Sequence, residues 1–206
     1  MVAWKQETAI GQLRMTPQEY LRSERHAETK SEFNGGIVTA MAGASWKHNI
    51  ITSNIQGELR AQLRGTSCVA VANDLRVRVA ECDKYYYPDI VVVCGEPQFE
   101  DAELDTLLNP TLIVEVLSDS TAAKDRGEKL ECYRTLDALN TYVLVAQDRP
   151  FIEIYRRQEN GWLYSTINSM DAAVPLDSIG GELQLADVYD RIEFNMQRDK
   201  SDINPT

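Results

Sequence analysis

The sequence has no CxxC pair, no His/Cys cluster, no glycine-rich phosphate loop and no nucleophile elbow. Zinc enzymes, nucleotide hydrolases and serine hydrolases each depend on one of these, to hold a metal, cradle phosphates or expose a strained serine, so those classes are disfavoured. No apolar run approaches the roughly 18 residues needed to span a bilayer, and the opening MVAWKQETAIGQLR has no apolar h-region. A soluble, unprocessed, cytoplasmic protein with no membrane partner is expected. The four cysteines, Cys68, Cys82, Cys94 and Cys132, are widely spread, and three lie in or beside apolar runs. Cysteine there behaves as a small hydrophobe, which predicts reduced thiols. Basic residues are scarce as well: 21 Lys and Arg against 32 Asp and Glu leave a formal charge of −11. That opposes the long-range attraction used by most nucleic-acid binders. The same acidity suits a cation site, because clustered carboxylates repel one another until a divalent ion neutralises them.

What is present is enough for one ordinary core: 206 residues, 43% of them hydrophobic, with no repeat or dividing linker. A single domain over 1–194 is expected, with a polar and disordered tail over 195–206. Thr16-Pro17-Gln18-Glu19 combines an N-cap, a first-turn proline and a capping-box glutamate, which predicts a helix over 16–25. Asn34-Gly35-Gly36, within SEFNGGIVTAM, has the chemistry of a hairpin turn. From Ser45 to Leu63, Ile50, Ile51, Ile55, Leu59 and Leu63 recur at three- and four-residue steps, marking an amphipathic helix. Strands are predicted over 68–72, 75–80, 89–94 and 111–117, then a helix over 122–136 capped by Ser120 or Thr121, and a strand over 141–146. LRVRVA alternates as a half-exposed strand does, whereas DIVVVC and TLIVEVL look buried on both faces. FIEIYRR and WLYSTI, on either side of Gln158 to Gly161, form a further hairpin. Helix, strands, helix, strand is the order of a mixed α/β core.

Charged residues inside buried strands are the strongest chemical signal, since an unpaired carboxylate there costs several kcal/mol and needs a partner or a metal. Asp89 opens DIVVVC after Pro88, and Glu115 sits within TLIVEVL. If their strands are neighbours, the two carboxylates can hold Mg²⁺ or Mn²⁺, which would polarise a phosphodiester and acidify a bound water. Lys129, in DRGEKLECYRTL, shares a helical stripe with Tyr133 and Leu136, not with the outward Glu128 and Glu131. It could point at the sheet and orient the attacking water. Glu32 and Asp74 are further acids for this cluster, weighed against surface pairing and turn capping.

The strings YYYPDIVVVC, NPTLIVEVLSDST and DRGEKLECYRTL, followed by the strand TYVLVAQD, resemble the Uma-two family of proposed endonucleases within the PD-(D/E)XK superfamily. The similarity runs from about Thr16 to Ile192 and includes SEFNGGIV and the helix near His48. It implies a restriction-endonuclease-like α/β (α+β) fold with an αβββαβ core, a mixed central sheet flanked by helices, and added N-terminal helix and hairpin and C-terminal hairpin. It implies that Asp89 and Glu115 bind the metal together with the Val116 carbonyl, that Lys129 is the motif lysine, and that Glu32 joins the site. In the parent superfamily the lysine lies two residues beyond the glutamate; here Leu117 holds that place and the lysine has moved to the next helix. Asp119 also stands where relatives tend to carry proline.

Two functional readings follow. One is a Mg²⁺- or Mn²⁺-dependent endonuclease acting on DNA, with Arg76 and Arg78 as candidate contacts to the nucleic acid. The other is a catalytically inactive dimeric binding or regulatory module of the same fold. A homodimer is expected in either case, because enzymes that cut both strands pair two sites and the FIEIYRR–WLYSTI hairpin offers a sheet edge. His48 reads as a local hydrogen-bonding group at a helix start, and Tyr85, Tyr86 and Tyr87 as packing residues.

Overall fold

The computed structural model describes residues 14–194; the expected 195–206 tail lies outside them. Chain order is α1 (Pro17–Glu24), β1 (Ser31–Asn34), β2 (Ile37–Ala40), α2 (Trp46–Gln62), β3 (Cys68–Ala72), β4 (Arg76–Val79), β5 (Lys84–Tyr86), β6 (Ile90–Cys94), β7 (Thr106–Leu107) and β8 (Leu112–Val116). A helical segment follows, α-helical over Ala122–Lys124 (α3) and Leu130–Tyr133 (α4) and π-helical between them over Asp125–Lys129. The remainder is β9 (Thr141–Val145), β10 (Ile152–Gln158), β11 (Gly161–Ile167), β12 (Ala173–Leu176), β13 (Gly181–Gln184) and α5 (Leu185–Val188). Among the described residues no helix is long and apolar enough to cross a membrane.

The central sheet has the order β11-β10-β9-β8-β6-β3. β3, β6 and β8 form an antiparallel run, and β9 then returns parallel to β8 through the helical segment, as a parallel neighbour requires a crossover. With α2 ahead of β3, this is the αβββαβ order expected from sequence. Period-two side-chain geometry explains why DIVVVC and TLIVEVL are apolar throughout: alternate residues feed opposite faces. Ile90, Val92, Val114 and Val116 pack beneath α2, against Ile51, Ile55 and Leu59. Val91, Val93 and Ile113 face the other way, against Tyr86, Leu130, Tyr133 and Tyr142. Truncating one of the fully buried aliphatics, such as Ile55→Ala, is worth about 2–5 kcal/mol.

A second sheet, β2-β1-β5-β4-β7, covers that other face. Its β1–β2 hairpin turns at Gly35 and Gly36, whose φ values of 53° and 95° need glycine-like freedom. The strand LRVRV enters this sheet and not the central one, and it is buried where half exposure was expected. Arg76 is 4% exposed, donates to Tyr87 Oη at 2.9 Å and Thr106 Oγ1 at 3.1 Å, and pairs with Asp105. Arg78 pairs with Asp83 and lies over the Tyr85 ring. The two arginines therefore brace the second sheet and do not form a basic outer face; alternation concealed this because the face taken as solvated is covered by aromatic and acidic partners.

The cysteines overturn another expectation. All four are disulfide-bonded, Cys68 to Cys94 and Cys82 to Cys132. Cys68 and Cys94 are register partners across β3 and β6, while Cys82, in the turn after β4, reaches α4. Separations of 26 and 50 residues gave no local sign of either pairing.

Candidate active site

The site is built where β6 begins, where β8 ends and where the π-helical turn passes over them. The β6–β8 register pairs Ile90 with Val114, which brings Asp89, just before β6, beside the end of β8 that carries Glu115. The Asp89 carboxylate lies near enough for its charge to act on Glu115. Asp89 Oδ2 accepts the Val116 amide at 2.7 Å, binding its carboxylate to the end of β8. Because a strand residue directs its N–H and C=O toward the same neighbour, the Val116 carbonyl belongs to the Asp89 side as well.

Glu115 is 4% exposed, and its Oε1 accepts from Lys129 Nζ at 3.0 Å and Tyr133 Oη at 3.2 Å. Lys129, 5% exposed, also lies 3.1 Å from Glu32 Oε1 and 3.3 Å from Asp125 Oδ1. Lys124 pairs with the other oxygen of Glu32. The face of Tyr86 closes the enclosure 5.3 Å from the Lys129 ammonium, and Tyr133 packs edge-on to both Tyr86 and Tyr142. The wider π turn directs Asp125 and Lys129, four residues apart, into the same interior; such turns recur at functional sites.

Burial pushes the Glu115 carboxyl well above its usual range, and the charges of Asp125 and Asp89 add to the rise against the opposing pull of Lys129. Lys129 is held as an ammonium: burial favours the neutral amine, but Glu115, Glu32 and Asp125 outweigh it and raise the group. Asp125 is 2% exposed, and its Oδ1 has no hydrogen bond among the described residues beyond this ionic contact.

Asp89, Glu115 and Lys129 are thus gathered into one locality, with Glu32 among them. Asp74 is elsewhere, largely exposed, in a left-handed turn and paired with Lys30. Tyr85, Tyr86 and Tyr87 are packed, as expected. The sequence reading missed Asp125, although its i,i+4 spacing from Lys129 was a usable sign. It also left His48 outside the site, whereas His48 Nε2 donates to Asp89 Oδ1 at 2.8 Å. The helix entry differs in detail too: neither Ser120 nor Thr121 caps through its side chain, and Ser118 Oγ takes the Thr121 amide.

The donor set fits a hard, partly hydrated cation. Among the described residues Asp89, Glu115, Glu32 and Asp125 bring four carboxylates to this region, and Lys129 and Lys124 are the ammonium groups paired with them. Among the described residues no three His, Cys, Asp or Glu side chains form a ready-made metal cage. Mg²⁺ needs none, since it is commonly held by one or two carboxylates with water completing its shell.

A mixed sheet with this αβββαβ order and acids at adjacent strand ends defines a restriction-endonuclease-like α+β protein. The chain belongs to the Uma2 family, described as "Putative restriction endonuclease", which matches residues 17–188. It is similar to two uncharacterised proteins of Synechocystis sp. (strain ATCC 27184 / PCC 6803 / Kazusa). One is 35% identical over 161 residues, 78% of this chain and 91% of the relative; the other is 31% identical over 182 residues, 88% and 94%. The crystal structure of a "putative nuclease belonging to DUF820" from Anabaena variabilis ATCC 29413 matches with a TM-score of 0.70 at 21% identity, covering 87% of this chain and 99% of that one. This last likeness establishes the fold.

Proposed function

We propose that the protein is an endonuclease that hydrolyses DNA phosphodiester bonds with Mg²⁺ or Mn²⁺. The observation that carries this reading is the Lys129–Glu115 contact at the end of β8, to which Asp89 is joined through the Val116 amide. In it, Asp89, Glu115 and the Val116 carbonyl supply the oxygens for the ion. A bound divalent cation would polarise the scissile phosphate and make a water acidic enough to attack at neutral pH. Lys129 holds a fixed positive charge beside Glu115, where it orients the attacking water and offsets negative charge developing on phosphorus-bound oxygen. Glu32 and Asp125 keep that ammonium in place, and Tyr86, Tyr133 and Tyr142 shield it from bulk solvent, which strengthens each of these interactions.

With a net charge of −11, DNA affinity would rest on neutralisation at the site more than on long-range attraction. Two copies would cut the two strands of a duplex, and we propose a homodimer. Cleavage of plasmid and single-stranded DNA with Mg²⁺ and with Mn²⁺, comparing wild type with Glu115→Gln and Lys129→Ala, tests the reading. Metal-dependent cutting lost in both variants supports it. Cutting that survives both substitutions excludes this site. The absence of any metal-dependent cutting would favour the binding-module alternative, to which the inward Arg76 and Arg78 lend some weight by removing two candidate DNA contacts.

A further inference from the structure

We propose that His48 is a positioning residue that fixes the Asp89 carboxylate for the divalent cation, an inference resting on the metal-dependent reading above. Asp89 lies between Pro88 and Ile90, the first residue of β6, outside the ladder that fixes the strand. Two donors hold it from different elements: the Val116 amide at 2.7 Å and His48 Nε2 at 2.8 Å. A carboxylate only accepts hydrogen bonds, so Nε2 carries the proton in this contact. An ionised carboxylate offers about four lone-pair sites, so two donors leave room for a metal.

His48 is itself held in place. It occupies the third position of α2, with its amide donating to the N-cap Ser45 Oγ at 3.1 Å. Ser45 Oγ donates to Gln147 Oε1 at 2.7 Å, and Gln147 Nε2 donates to the Leu117 carbonyl at 2.6 Å. The start of α2 is therefore tied to the end of β8 by a route independent of Asp89, while Ile51, Ile55 and Leu59 seat the helix on the sheet. Both His48 and Asp89 side chains are more than four-fifths shielded, so water competes poorly for their contact. Hydrogen-bond partners of ligating groups matter in this way: their loss typically weakens metal binding about 10–100-fold.

The experiment measures Mn²⁺ binding by calorimetry on folded wild type, Asp89→Asn, His48→Ala and His48→Gln, with thermal melts of separate chelator-treated samples as the folding control. We expect Asp89→Asn to abolish binding and His48→Ala to weaken it about 10–100-fold. His48→Gln, whose amide N–H can occupy the Nε2 position, should return affinity to within a few-fold of wild type. If His48→Ala loses helix α2, His48→Leu, which keeps bulk but has no donor, takes its place. A donor-free variant that binds Mn²⁺ within twofold of wild type overturns the inference. So does nitrogen coupling to bound Mn²⁺ in pulsed EPR that disappears with His48, which would make His48 a ligand. If wild type does not bind Mn²⁺, or Asp89→Asn binds it equally well, the metal-dependent reading fails and this inference fails with it, which is distinct from a failure of His48 alone.

Discussion

Lys129 and Glu115 are 14 residues apart in the chain, and their charged atoms lie 3.0 Å apart in the interior. The same ammonium is shared with Glu32 and Asp125. Lys129→Ala would leave three shielded carboxylates without their common cation, and removing one partner of a buried ion pair costs about 3–5 kcal/mol. Urea denaturation in chelator at pH 7 should show that loss. A Lys129→Ala protein as stable as wild type at pH 7 would mean that the ammonium is not the charge balancing this cluster.

Glu115→Gln should lower activity without lowering metal-free stability. The amide keeps the side-chain shape and removes a charge that burial and two nearby acids disfavour, so the metal-free protein should be no less stable than wild type. Cleavage should fall at least about 100-fold, the scale of losing one preorganised electrostatic group in an active site. Paired measurements of melting temperature and plasmid cutting test this. A large drop in metal-free stability would show that Glu115 chiefly holds the fold together.

The placement of the candidate residues was largely legible in the sequence because burying charge is costly and therefore conspicuous. Glu115 stands in TLIVEVL and Asp89 at the head of DIVVVC, and neither apolar string can host an acid without a reason. Lys129 was legible through helical spacing, although a π turn and not a plain α-helix delivers it. Features that depend on where elements end up in space were not legible. LRVRV alternates like a half-exposed strand, yet Tyr87, Thr106 and Asp105 enclose Arg76. Cys82 and Cys132 lie in unrelated elements that only the packed fold brings together. His48 carries no local mark of its partner, 41 residues further on.

The pH dependence of stability follows from two displaced acids. Burial raises Glu115, so the folded chain keeps this proton when the unfolded chain has already lost it, near its reference value of about 4.3. Metal-free stability must then fall as pH rises through the native Glu115 value. Asp105 is displaced oppositely: Arg25 and then Arg76 hold its carboxyl well below the usual range. Its contribution is full above about pH 4 and is lost as pH drops further. Divalent cation should compete with the Glu115 proton, so Mn²⁺ should raise the melting temperature more at pH 8 than at pH 5.5. Equal increments at the two pH values would remove Glu115 from the binding event.

Cys82–Cys132 joins the turn after β4 to α4, three residues beyond Lys129 and next to Tyr133, whose hydroxyl donates to Glu115. The cross-link closes a separation of 50 residues, for which the chain-entropy estimate is about 4 kcal/mol of stabilisation. Because it secures the helix that supplies Lys129 and Tyr133, its loss should loosen the site as well as the fold. Cys82→Ser/Cys132→Ser should therefore melt lower than wild type and bind Mn²⁺ more weakly. Cys68→Ser/Cys94→Ser, which releases only neighbouring strands already paired in register, should affect stability more than binding. Thiol titration of the unreduced, denatured protein provides the control and should find none of these four cysteines free. If both double variants lose Mn²⁺ affinity equally, the special connection of Cys132 to the site is wrong and general softening of the fold accounts for the effect.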